Sequence, residues 1–173
     1  MSARPSPLTL AEFDRLYGSE PGWEFWFGKA IQKPVPTWLH AVLQGILTEF
    51  LYRAGYLSGS EVDLRARPDW RPRPDVAGVL KMEGRYPSKL DVAIEILSDD
   101  QENYIRSKCL YYTEVGIPQI FIVDPEKRTI RIWNGATESL DLIEDLHLSN
   151  GATVIGYTIG RNSTSASGST PDP

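Results

Sequence analysis

Glu95 sits in the run Val92-Ala93-Ile94-Glu95-Ile96-Leu97, a carboxylate among aliphatic side chains. A bare buried charge is prohibitively costly, so this one must be neutralised, paired or bound to a cation. Lys108 shows the same conflict at helical spacing. Tyr104, Ile105, Tyr111, Tyr112 and Val115 stand three, four or seven positions from it, which puts its ammonium on the aromatic and apolar side. Either the stem packs while the head reaches water, or the charge points into a pocket lined by Glu95. Asp75 follows Pro74 and opens a second apolar run, Val76-Ala77-Gly78-Val79-Leu80. Two neighbouring strands would bring Asp75 and Glu95 to one edge of a sheet.

Oxygen ligands held there suit Mg2+, with Mn2+ as a substitute, because Mg2+ takes one or two protein carboxylates and keeps several waters. The backbone carbonyl of Ile96 offers another oxygen. A cation so placed polarises a scissile phosphate and lowers the pKa of a water, while a nearby ammonium offsets developing negative charge. Phosphodiester hydrolysis is the chemistry this set suits. Glu24 either completes the metal shell, acts on water as a base, or is a solvent-facing edge charge. His40 either contacts the phosphate, relays a proton, orients Glu24, or is a satisfied boundary residue. The candidate catalytic residues are therefore Asp75, Glu95, Lys108, Glu24 and His40. The candidate metal ligands are Asp75, Glu95, Glu24 and the Ile96 carbonyl. From Arg65 to Lys89 seven basic residues face three acidic ones. Arg65, Arg67, Arg71 and Arg73 are thus either a phosphate-facing surface or part of a solvated loop.

The elements that must position these groups are short, because 13 Pro and 14 Gly punctuate the 173 residues. Thr9 and Glu12 make a capping box for a helix carrying Leu10, Phe13 and Leu16 and ending at Gly18. Trp23 to Phe27 reads as a strand with Trp23, Phe25 and Phe27 on one face and Glu24 with Trp26 on the other. Gly28-Lys29 turns the chain, and Ala30 to Lys33 returns. A helix capped at Pro36 or Thr37 runs to Arg53 or Ala54, with Leu39, Leu43, Ile46, Leu47 and Phe50 as its stripe and His40 and Gln44 on one flank. A strand lies within 56–64, with Val62 and Leu64 on one face, and a loop spans 65–74. Strands follow at 75–80 and 90–97, the second apolar on both faces and so covered on both sides. Ser98 with Gln101, or Asp99 with Glu102, caps a helix reaching Val115. The strands 119–123 and 128–133 pair about the turn 124–127, and weaker strand signals continue to Ile159. The order predicts an α/β domain over residues 8–160, a mixed central sheet flanked by helices, followed by a disordered polar tail, 161–173.

Composition bounds the rest. A single cysteine, Cys109, rules out an internal disulfide framework and a Cys-rich zinc site, and by itself it simply packs. His147 has no partner pattern. No apolar run approaches the roughly 20 residues of a membrane helix, and no signal-like segment follows Arg4, so an intracellular, cytoplasmic protein is expected. The net charge of −5 argues against indiscriminate nucleic-acid binding.

The chain resembles the Uma2 family, whose members look like PD-(D/E)XK restriction-endonuclease-like proteins. The likeness runs from about residue 8 to 134, through LTLAEF, WEFWFGKAI with Glu24, a helix with His40, RPDVAGV with Asp75, VAIEILS with Glu95, and KCLYYTEVGIPQIFIVDP with Lys108. It implies a nuclease core with Glu24, Asp75 and Glu95 as metal-site residues. Lys108 would replace the lysine that usually follows the glutamate by two positions, where Leu97 stands here. Tyr104 occupies a position where relatives often carry an acid. The expected function is divalent-metal-dependent endonuclease cleavage, of DNA foremost, by a homodimer. Two other classes stay open: a non-cleaving binding module on the same fold, and an interaction partner using Trp26 or Trp133 as an exposed interface.

Overall fold

The computed structural model describes residues 7–98 and 102–155. Helix α1, Leu10–Tyr17, begins with the expected reciprocal cap between Thr9 and Glu12. Strands β1, Trp23–Trp26, and β2, Lys29–Gln32, form an antiparallel hairpin. Its two-residue turn is Phe27-Gly28, both at positive φ, one position before the expected Gly28-Lys29. Phe27 therefore leaves the strand face assigned to it. Helix α2, Trp38–Arg53, is capped by the Thr37 side chain. Its buried stripe is His40, Leu43, Leu47 and Leu51. The expected stripe was rotated from this one: Leu39 and Phe50 pack only partly against the core, and His40 moves from flank to buried face.

Strand β3, Leu57–Ser60, stops where Glu61 takes φ 54°, so Val62 and Leu64 lie beyond it. The expected loop 65–74 contains a short strand, β4, Trp70–Arg71, which pairs with β1. Then come β5, Val76–Val79, β6, Val92–Ile96, helix α3, Glu102–Glu114, β7, Gln119–Asp124, β8, Thr129–Asn134, β9, Ser139–Ile143, β10, Asp145–His147, and β11, Thr153–Ile155. The caps expected at Gln101 and Asp99 and the tail 161–173 lie outside the described residues.

The main sheet has six strands in the order β3-β5-β6-β7-β8-β9. Only β6 and β7 run parallel, and α3 is the crossover between them. Strands β2-β1-β4 form a separate three-stranded sheet, and β10 pairs with β11. Side-chain alternation divides the core. Val76, Ile94, Ile96, Phe121 and Val123 pack with Leu43, Leu47 and Leu51 of α2. Ala77, Val79, Ala93, Ile120 and Ile122 pack with Ile105, Cys109 and Tyr112 of α3. Glu95 falls between Ile94 and Ile96, and therefore on the α3 face. Trp133 is buried in that second core and donates to Thr113, so it cannot serve as an exposed interface; Trp26 is half-buried.

Candidate active site

Strand pairing decides what sequence spacing left open. Strands β5 and β6 are antiparallel with Val76 opposite Ile94 and Ala77 opposite Ala93. Continued by one step, that register sets Asp75 opposite Glu95. Like charges facing each other across a sheet are destabilising unless cations intervene. Two ammonium groups do so. Lys108 Nζ lies 2.7 Å from Glu95 Oε1 and 3.1 Å from Glu24 Oε1. Lys33 Nζ lies 2.8 Å from Asp75 Oδ1 and 2.6 Å from Glu61 Oε1. Both lysines also donate to the Arg73 carbonyl, at 2.9 Å from Lys33 and 3.2 Å from Lys108.

Lys108 is fully buried, so its head does not reach water. Helix α3 turns it inward beside Ile105, Cys109 and Tyr112, and the Tyr112 hydroxyl donates to Glu95 Oε1 at 2.6 Å. Glu24 is equally buried, which removes the edge-charge reading. Its carboxylate accepts from Trp26 Nε1 at 2.8 Å, the Arg73 backbone N–H at 2.7 Å, Lys108, and the Tyr104 hydroxyl. Tyr104 is thus a donor to the hairpin glutamate. Asp75 Oδ2 accepts from the Ile96 N–H at 2.7 Å, and Gln44 donates to the Asp75 carbonyl at 2.9 Å. His40 places Nε2 3.5 Å from Asp75 Oδ1 and Nδ1 3.1 Å from Ser98 Oγ. It addresses Asp75, not Glu24.

Burial acts against every charge here, and the local balance decides each outcome. Burial raises the Glu24 pKa, but Lys108, Lys33 and the donors from Tyr104 and Arg73 outweigh it and hold the carboxyl below the usual range. Burial is likewise overcome at Asp75, where His40, Lys33 and Lys108 hold the pKa low. At Glu95 burial prevails over Lys108, helped by Asp75, and the carboxyl is pushed up to about 7. Lys108 stays protonated because Glu24 and Glu95 overcome its desolvation. Burial, with Glu95, pushes the Cys109 thiol up to about 12, so it stays a packed thiol. Once Glu95 ionises, above about pH 7, the three buried carboxylates Glu24, Asp75 and Glu95 leave one negative charge in excess over the ammoniums of Lys33 and Lys108, and Lys33 is further shared with Glu61.

That excess faces a cleft of about 300 Å³ lined by Lys33, His40, Gln44, Glu61, Asp75, Glu95 and Ser98, with Pro34, Val35 and Pro36 as an apolar wall. A groove of about 510 Å³ shares Pro21, Gly22 and Glu61 with it and carries Arg73 and Arg85. All the arginines of the basic segment have partners: Arg73 donates to the Glu20 carbonyl at 2.9 Å and Arg85 lies 5.5 Å from the Tyr86 ring centre. Arg65 pairs with Asp63 and covers the Tyr86 ring, Arg67 spans Asp69 and Glu114, and Arg71 binds Asp14.

Asp75 and Glu95, two of the three carboxylates lining this cleft, fit a divalent cation in kind. Among the described residues no group of three or more His, Cys, Asp or Glu is spaced to hold a metal. The protein's share would therefore be Asp75, Glu95 and a peptide oxygen, with water completing the shell. Lys33, Glu61, Gln44 and Tyr104 are site residues that motif reasoning missed. Lys33 had a signal: it is the only Asp, Glu, Lys or Arg between Lys29 and Glu49.

A helix-flanked mixed sheet whose paired strand ends carry opposed carboxylates defines a restriction-endonuclease-like fold. The chain matches, over 90% of its length and 98% of the other chain, the crystal structure of "a putative nuclease belonging to DUF820" from Anabaena variabilis, with a TM-score of 0.74 and 21% identity. Residues 10–156 match the family Uma2, described as "Putative restriction endonuclease". The chain belongs to the Uma2 family. Among curated proteins, none matches it. No helix among the described residues is long and apolar enough to cross a membrane.

Proposed function

We propose that the protein is a divalent-metal-dependent endonuclease that hydrolyses phosphodiester bonds in DNA, with Mg2+ as the working ion and Mn2+ able to replace it. The observation that carries this reading is the Asp75–Glu95 pair, opposed across adjacent strands and lining one cleft. A divalent ion held by them would polarise the scissile phosphate and acidify a water. The N–H and C=O of one strand residue project to the same edge, so the Ile96 N–H bonded to Asp75 directs the Ile96 carbonyl toward that side as well.

The remaining residues position this pair. All three Lys108 donors are spent on Glu24, Glu95 and the Arg73 carbonyl, so Lys108 sets the Glu95 carboxylate and does not reach into the cleft. Glu24, saturated by four donors, anchors Lys108 instead of ligating a metal. A His40 proton on Nε2 satisfies both of its contacts, with the ring facing Asp75 and accepting from Ser98. Arg73 and Arg85 line the adjoining groove and suit the phosphates flanking the cleaved bond. Homodimerisation fits the edge strand β3, beside which Leu57 and Tyr52 are exposed.

Purified protein incubated with supercoiled, linear and single-stranded DNA tests this reading. Cleavage should require Mg2+ or Mn2+, stop with chelator, and be absent from Asp75→Asn. Metal-independent cleavage, or cleavage that survives Asp75→Asn, contradicts it. One observation favours a second reading, a non-cleaving module: each site carboxylate already has an ammonium partner. DNA binding without turnover under every metal condition would select it.

A further inference from the structure

We infer that Lys33 is the exchangeable cation of the cleft: its ammonium holds the place on Asp75 that a divalent ion takes, and it must swing aside for that ion to bind. This rests on the reading that Asp75 and Glu95 receive a metal. The two site lysines differ in what they can do. Lys108 is sealed beneath Glu24 and Glu95 with no solvent exposure. Lys33 lines the cleft, and its side chain retains 10% exposure. Its Nζ sits on Asp75 Oδ1, the oxygen that the Ile96 N–H leaves available, since that donor binds Oδ2.

Departure of Lys33 would therefore leave Asp75 Oδ1 facing His40 Nε2 alone, at 3.5 Å, with a lone pair open to a cation, while Oδ2 stays fixed. Lysine carries its charge on a flexible four-carbon stem, and a point charge can shift without a fixed fork geometry. A second anchor is ready. Glu61, 39% exposed, already accepts from Lys33 at 2.6 Å and from Gln44 at 3.2 Å, so the displaced ammonium keeps a partner at the cleft mouth. His40 and Gln44, the other groups facing Asp75, keep their Ser98 and backbone contacts. Two cations cannot share Asp75 Oδ1 without strong repulsion. The wild-type protein should therefore bind metal weakly, and loading should release an ammonium into the cleft, where a phosphate would meet it.

Mn2+ titration of chelator-stripped protein, followed by electron paramagnetic resonance of the free ion, tests this. Lys33→Met should bind one Mn2+ at least tenfold more tightly than wild type, and Lys33→Arg, which keeps the charge, no more tightly than wild type. Lys33→Met/Asp75→Asn should lose the gain. Unchanged or weaker Mn2+ binding by Lys33→Met overturns the inference. If Lys33→Met is unfolded by circular dichroism without metal, Mn2+ should restore its fold; failure to restore it also overturns the inference. A gain in Mn2+ affinity in a protein that cleaves no DNA would keep this inference and remove the nuclease reading. Metal-dependent cleavage without such a gain would do the reverse.

Discussion

Glu95→Gln removes the carboxyl whose ionisation would give the site its excess charge. Burial pushes the Glu95 carboxyl from an ordinary 4.5 up to about 7. Between those pH values the folded protein holds a proton that the unfolded chain has released. The stabilisation linked to it is complete below about pH 4.5, declines as pH rises, and is gone above about pH 7. The separation of the two values corresponds to at most about 3 kcal/mol. Urea unfolding from pH 4.5 to 8, in chelator and read by tryptophan fluorescence, would measure it. Wild type should lose up to about 3 kcal/mol relative to Glu95→Gln across the window, since the amide cannot ionise. Asp75 and Glu24, both held low, titrate below the window in the folded wild type, while the unfolded-chain titrations and that of Glu61, which is also raised, are common to the two proteins and drop out of the comparison. Added Mn2+ should flatten the wild-type profile by taking the proton's place. Parallel curves for the two proteins without metal would refute the reasoning.

Lys108→Met leaves Glu24 and Glu95 buried without their shared ammonium and should cost about 3–5 kcal/mol in urea unfolding; a loss under about 1 kcal/mol would show that the pair is not confined as described. Tyr112→Phe deletes the 2.6 Å donor to Glu95 and should destabilise by about 1–3 kcal/mol, most clearly above pH 7, where the carboxylate is ionised. Leu47→Ala empties a fully buried position between α2 and the sheet and should cost about 2–5 kcal/mol, measured the same way, without altering Mn2+ affinity.

The residues most legible in the sequence were those whose charge opposed their setting. Glu95 in an aliphatic strand and Lys108 on an aromatic helix face both had to find partners, and each found the other. Elements with local signals were equally readable, as the Thr9 cap and the run of β6, apolar and buried on both faces, show. What was not readable depended on tertiary pairing. Nothing in the spacing of Asp75 and Glu95 states that β5 and β6 are antiparallel in the register that opposes them. The phase of α2 was set by which turns meet the sheet, so an apolar stripe drawn through Leu39 and Phe50 left His40 on the wrong side. Lys33 was passed over because a lysine beyond a short strand and before Pro34 has many solvated fates. Only the fold brings Glu61 and Asp75 around it.

The account rests on Asp75 and Glu95 forming one cation site, and a crystal soaked in Mn2+ and measured at the manganese absorption edge tests this most directly. The predicted result is an anomalous peak about 2.1 Å from an oxygen of each carboxylate, with the Lys33 ammonium moved off Asp75. A map with no peak between them and Lys33 still in contact with Asp75 would contradict it.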